Sequence, residues 1–206
     1  GDYHQAIIPL SDNDVSRSRV VDIIYATTNK YKLAGANNAL RGMDVELIAP
    51  KQELPDVPEI QSDSQEAVSV DKAEKYFQLL KCPLVVMDSG LFIEELKGFP
   101  GIYTKYALDT VGIKRIIEML NDNFRAYTKR TVVYHDGSVT KAFTSEIWGN
   151  LVREPQGDNG RNYDKYFIPD GDDKTIAEMS DDEKSAMIAP VWRELAKWIQ
   201  GVRSKV

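Results

Sequence analysis

Two apolar runs set the architecture. VVDIIYA, residues 20–26, and LVVMD, residues 84–88, are nearly unbroken hydrophobic stretches of strand length that run straight into polar residues. That pattern fits interior strands covered on both faces, not hairpin strands with one wet face. Between them the periodicity changes. Residues 29–40 read as a helix ending near Arg41 and Gly42, where glycine suits the position just past a helix. DVELIAP, 44–50, alternates like a second strand. After a loop carrying Pro50, Pro55 and Pro58, residues 63–81 place Ala67, Val70, Ala73, Phe77 and Leu80 at helical spacing. KGFPGIY, 97–103, is a loop by its glycines and proline, and a helix passes through IKRIIEML, 113–120.

The second half has a different character. AYTKRTVVYHDGSVTKAFTSEIWG, 126–149, is a pair of alternating β runs joined at Asp136 and Gly137, a strong hairpin signal. SDDE, 180–183, is a capping box that opens a helix toward Trp198, and Pro190 is expected to break that helix near Ile188. The order βαβαβ, helix, hairpin, helix predicts an α/β fold with a mixed sheet in two lobes and a cleft between them. Residues 1–20 read as a polar extension, 21–200 as one domain and 201–206 as a tail.

Composition removes several functions. A chain of 206 residues buries a substantial core, and a net charge of −6 argues against a nucleic-acid surface while leaving room for one small anion held by a few lysines. Cys82 is the single cysteine, so there is no internal disulfide and no cysteine zinc cage, which agrees with a reducing, cytoplasmic setting. Core filling is its expected role. No stretch approaches the ~18 apolar residues of a membrane span, and residues 1–20 lack a signal-peptide run.

Chemistry is expected at two polar strand ends, because ligands of open α/β sheets bind where strands run out into loops. IIYATTNKYKL, 23–33, carries Thr28, Asn29 and Lys32 at a strand-to-helix turn where backbone N–H groups and the helix dipole favour phosphate. The alternative is a plain N-cap at Thr28 or Asn29 with solvated lysines. Asp88, Ser89 and Gly90 read either as an Asp-Ser-Gly turn or as a magnesium-and-phosphate site in which glycine lets backbone approach a ligand.

Taken together and in order, ATTNKYK, VPEIQ, MDSGLF, KGFPGIY, EIWG, NYDKYFIPDG and AEMSDDEK resemble the inosine triphosphate pyrophosphatase family from about Val21 to Trp198. The resemblance implies an elongated mixed sheet with a nucleotide cleft, commonly in a homodimer. It also implies hydrolysis of noncanonical purine nucleoside triphosphates to monophosphate and pyrophosphate. Thr28, Asn29 and Lys32 then hold the triphosphate. Glu59 and Asp88 hold magnesium, with Asp88 and Lys32 the catalytic candidates. Lys72, Ser89, Gly90, Trp148, Tyr163, Asp164 and Lys184 join the substrate-binding set. Glu66 lies either near the metal or on a solvated helix face, and His4 and His135 match nothing.

Three departures accompany the resemblance. Met87 stands where the family usually has an acidic residue. Arg161-Asn162-Tyr163-Asp164-Lys165 replaces Phe-Gly-Tyr/Trp-Asp-Pro, and Ala189-Pro190-Val191 replaces Ser-His-Arg. The phosphate half of the site is kept and the base half rewritten, so base specificity is expected to shift. A nucleotide-binding protein with little turnover is the alternative.

Overall fold

The computed structural model describes residues 20–204, so the extension predicted for residues 1–20 lies outside them except for Val20. The elements are β1 (Val21–Tyr25), α1 (Lys30–Ala39), β2 (Val45–Ile48), α2 (Gln65–Leu80), β3 (Leu84–Ile93), β4 (Pro100–Gly101), α3 (Thr104–Thr110), α4 (Ile113–Glu118), β5 (Arg125–His135), β6 (Thr140–Leu151), β7 (Phe167–Pro169) and α5 (Asp181–Arg203), with short 3₁₀ turns at Asn162–Lys165 and Ile176–Glu178. One mixed sheet runs β2-β1-β3-β5-β6-β7, and β4 pairs with β3. β1 is parallel to β2 and β3, whereas β3, β5, β6 and β7 are successively antiparallel.

The handover at β3 creates the site. β5 pairs with β3 from Leu84 to Ile93, but β1 meets it only at Leu84 and Val85, and β4 only at Leu91 and Phe92. Along Met87–Gly90 the β1-side edge of β3 is therefore a notch between the end of one strand and the start of another. Here the structure corrects the sequence reading. Asp88-Ser89-Gly90 is neither a turn nor a strand end, because the unbroken register with β5 carries the strand through it. Gly90 is required by close approach: a Cβ there would lie 2.5 Å from the Gly101 carbonyl oxygen.

Cores lie on both sides of the notch. On one face α1 and α5 cover Ile23, Tyr25, Leu47, Val85 and Val132 through Trp192 and Leu195. On the other, α2 covers Leu84, Val86 and Val133 through Ala73. A distal cluster builds the far lobe around Leu91, Ile93, Ala107, Ile116 and Phe167.

The helices start where capping chemistry puts them. Ser64 caps α2, and Ser180 with Glu183 forms the predicted capping box of α5. Pro190 does not interrupt α5, which runs unbroken to Arg203. The reason is placement: Pro190 and Ala186, whose carbonyl loses its partner, are both exposed to water, while Val191, Trp192, Leu195 and Ile199 anchor the following turns in the core. The β5–β6 hairpin turns over 136–139, where the Asp136 carboxylate accepts the N–H groups of Ser138 and Val139. Cys82 is only partly buried, and His135 is a structural residue bonded through Nδ1 to Thr140 Oγ1 at 2.7 Å.

Candidate active site

Asp88 points from the notch toward α2, and three residues on one face of that helix meet it. Gln65, Ser69 and Lys72 are spaced by four and three, so they share a face. Gln65 is buried, and its amide nitrogen is shared among the Asp88 carbonyl (3.2 Å), the Lys129 carbonyl (3.1 Å) and Thr131 Oγ1 (3.2 Å). Ser69 Oγ donates to Asp88 Oδ2 at 2.9 Å. Lys72 Nζ bonds Asp88 Oδ1 and also Glu59 Oε1 at 2.7 Å. Burial would lower the Lys72 pKa, but the Asp88 and Glu59 carboxylates outweigh it and hold the pKa above the ordinary lysine value. A single cation thus already bridges the two expected metal ligands. Glu66 is exposed on α2, and no cluster of three or more His, Cys, Asp or Glu side chains exists among the described residues.

The turn after β1 is both a cap and a cation site. Asn29 Oδ1 accepts from the backbone N–H groups of Tyr31 (3.0 Å) and Lys32 (3.2 Å), and Thr27 Oγ1 accepts from Asn29 N–H at 3.1 Å. Asn29 is therefore the N-cap of α1, and Thr28 is exposed beside it. Lys32 is exposed as a residue, but protein atoms around its ammonium lower its pKa; Asp88 pulls the other way, and Lys72, Arg130 and Lys105 push it down again. Lys32 therefore feels three further cations besides Asp88, and of these Lys72 bonds Asp88 directly.

Arg130 is the residue the sequence reading missed. It stands on β5 opposite Ser89, with Nη1 on Thr128 Oγ1 at 3.1 Å. The signal was available: Arg130 takes the inward position of the alternation that also holds buried Thr128 and Val132, a place where a charge needs a reason.

Arg130 also links the notch to the far candidates. Tyr163 is buried, and its phenol pKa is raised by that burial. Asp164 has a raised pKa, first because burial disfavours its charge, with the backbone N–H of Arg161, then Lys184 and Arg130, opposing. Its Oδ2 accepts that N–H at 3.0 Å, and Lys184 Nζ bonds the Asn159 carbonyl. Ser89 is exposed and Gly90 buried at the notch. Trp148 is not brought to this group. Its ring lies tilted against Tyr127 at 4.5 Å and lines a separate cavity of about 500 Å³ with Pro169, Met179 and Met187, which none of the other candidates lines.

The departures have physical locations. Met87 packs against the core that holds Tyr25 and Trp192, and Val191 is buried in the same core. Arg193 donates to Met43 Sδ at 3.7 Å, which commits it to the α1–β2 side.

The chain resembles known proteins in sequence and in fold. Residues 23–189 match the Ham1 family. A dITP/XTP pyrophosphatase of Hyperthermus butylicus is 38% identical over 185 residues, covering 86% of this chain and 94% of the relative. One from Methanopyrus kandleri is 41% identical over 167 residues, covering 79% and 86%. Among solved structures, a HAM1 protein from Coxiella burnetii superposes with a TM-score of 0.76 at 23% identity over 88% of this chain and 100% of its own. A nucleoside-triphosphatase / dITP/XTP pyrophosphatase from Mycobacterium abscessus gives 0.64 at 25% identity over 86% and 98%. With the match running from β1 through the notch and the hairpin into α5, this chain belongs to the Ham1 family.

Proposed function

We propose that the protein hydrolyses noncanonical purine nucleoside triphosphates, of the dITP and XTP kind, to the monophosphate and pyrophosphate. The observation that carries this is the cluster of cations around the notch: Lys72 bonds Asp88, and Lys32 feels Lys72, Arg130 and Lys105 as well as Asp88, in a protein of net charge −6. So much local positive charge against so acidic a background suits a polyphosphate and little else. Relatives named as dITP/XTP pyrophosphatases support the substrate class.

Glu59 and Asp88 fit a divalent cation, magnesium by the hardness of its oxygen ligands, since the Lys72 ammonium already finds one oxygen of each. Bound there, the metal would neutralise phosphate charge. The lysines and Arg130 stabilise the charge that grows on leaving pyrophosphate as the bond between the α- and β-phosphates breaks. Asp88, fixed by Ser69 and Lys72, keeps acceptor capacity on its carboxylate to orient a water and take its proton. Thr28, the Asn29-capped helix start, Ser89 and the backbone at Gly90 border the phosphates.

The same proposal includes a cytoplasmic homodimer that does not bind nucleic acid. The acidic net charge supports the last point and the lone cysteine the compartment, while the dimer rests on the family resemblance and is decided by sedimentation velocity. The function is tested by pyrophosphate release from a panel of nucleoside triphosphates with magnesium and with a chelator. Release from ITP and XTP that the chelator abolishes supports it, and no release from any triphosphate refutes it.

A further inference from the structure

The base end lacks the side-chain donors of the last helix, yet an unassigned cation stands at its mouth. Arg161 enters the 3₁₀ turn that carries Tyr163 and Asp164, and its guanidinium lies 4.3 Å from the centre of the Tyr31 ring. Tyr31 is 75% exposed, sits one residue before Lys32 on α1, and makes no core contact that would explain an aromatic there. Gly35, one turn on, faces Ile188 of α5 with 3.9 Å from a notional Cβ to Ile188 Cδ1, and Ile188 shares its helix face with Lys184. Tyr31 and Arg161 thus join α1 to the 3₁₀ turn that carries Tyr163 and Asp164, with Ile188 of α5 beside α1 and Lys184 one turn before it. Arg161 has no carboxylate partner among the described residues, and Arg193, the other arginine near the altered motif, is turned away to Met43.

We propose that Arg161 is the specificity-determining residue of this site and Tyr31 its positioning residue, an inference that rests on the function proposed above. The Tyr31 ring holds the guanidinium as a cation–π pair, which needs none of its N–H donors and leaves that rigid fork available to a base. A 6-oxopurine offers matching acceptors at O6 and N7, whereas adenine presents a donor at its 6-position. Hypoxanthine, xanthine and guanine fit; adenine does not.

The test measures kcat/KM for ITP and ATP, and competitive inhibition by tripolyphosphate, in wild type, Arg161→Ala, Arg161→Lys, Tyr31→Ala and Tyr31→Phe. Arg161→Ala is expected to lower the ITP value about 10- to 100-fold, the range of one bidentate contact, with ATP and tripolyphosphate unchanged. Lysine, which lacks the fork, should rescue little; Tyr31→Phe, which keeps the ring, should stay near wild type, and Tyr31→Ala should follow Arg161→Ala in part. Equal losses for ITP, ATP and tripolyphosphate would make Arg161 a phosphate contact and overturn the proposal, as would no loss at all. Calorimetric binding of IMP against AMP separates this from a failure of the enzymatic reading. If no triphosphate is turned over but Arg161→Ala still weakens IMP alone, the base assignment stands, and equal IMP and AMP affinities in wild type refute it.

Discussion

Replacing Asp88 by asparagine tests the centre of the site, because the change keeps shape and removes charge. The amide oxygen can still accept from Lys72 Nζ, and the Ser69 hydroxyl can turn to accept from the amide nitrogen, so what is lost is chiefly the charge that pairs with Lys72. Breaking a buried ion pair costs about 3–5 kcal/mol and an exposed one about 0–1 kcal/mol. The side chains of Lys72 and Asp88 are 17% and 21% exposed, and Lys72 retains Glu59, so a loss of about 1–2 kcal/mol follows from interpolating between those limits. For a domain of this size that is a Tm lower by roughly 2–8 °C. Turnover should fall much further, by about 10²–10⁴ from loss of the proton acceptor, with a weaker response to added magnesium. Thermal melts and pyrophosphate release with a metal titration measure both effects. A folded Asp88→Asn protein with near-wild-type kcat refutes the assignment, and a Tm loss several times larger would make Asp88 chiefly a structural residue.

Lys32→Ala should raise KM by a similar factor for every triphosphate, since an ammonium on phosphate does not see the base; a loss confined to one base would refute that role. Because the folded Lys32 pKa is depressed, its charge is lost on the alkaline side before an ordinary lysine's, so wild-type KM should rise with pH in that range and Lys32→Ala should flatten the rise. Gly90→Ala should cost about 1–3 kcal/mol by overpacking, seen as a lower urea midpoint, because the added Cβ meets the Gly101 carbonyl at 2.5 Å. Asp164 has a folded pKa above its unfolded value, so its ionised form costs stability above the unfolded pKa and the cost vanishes at pH below it. Asp164→Asn should therefore match or exceed the wild-type Tm at pH 7 and lose that advantage in acid; a deficit that grows with pH would reverse the sign.

What the sequence reveals follows from how local each signal is. β1, α1, α2 and the hairpin are written in periodicity, and the caps at Asn29, Ser64 and Ser180 in a few adjacent residues. Asp88 was legible as a polar residue after an apolar run, but its position inside β3 was not, because only pairing with β5, more than forty residues later, decides that the strand continues. Gln65 was hidden for the same reason, and for Arg130 the alternation of β5 marked an inward charge but not what it faces. Nothing near either residue in sequence shows that β5 lies opposite Ser89, or that one buried amide joins α2 to β3 and β5. Trp148 shows the converse: the family resemblance of EIWG placed it among the substrate-binding residues, and its ring lies tilted against Tyr127 across the β5–β6 pair.

Pro190 is where local reasoning failed most plainly, and it yields a test. A proline in a helix interior removes one hydrogen bond and strains the preceding turn, a cost of about 3 kcal/mol, which led to the expectation of a break. Continuity of α5 means that burial of Val191, Trp192, Leu195, Ala196 and Ile199 exceeds that cost. The cost itself has not gone. Pro190→Ala should restore the N–H that bonds the Ala186 carbonyl and remove the ring clash, offset by about 0.4–1 kcal/mol because alanine leaves the unfolded chain freer. Because Ala186 is an exposed residue the restored bond counts for less than a buried one, and a net gain of about 1–2 kcal/mol remains, or a Tm higher by roughly 2–8 °C. Thermal melts and urea midpoints of the two proteins decide the matter. An unchanged or lower Tm would mean that the helix is bent at Pro190 in a way the core requires, so that alanine, by straightening it, loses packing at Trp192 worth as much as the restored bond.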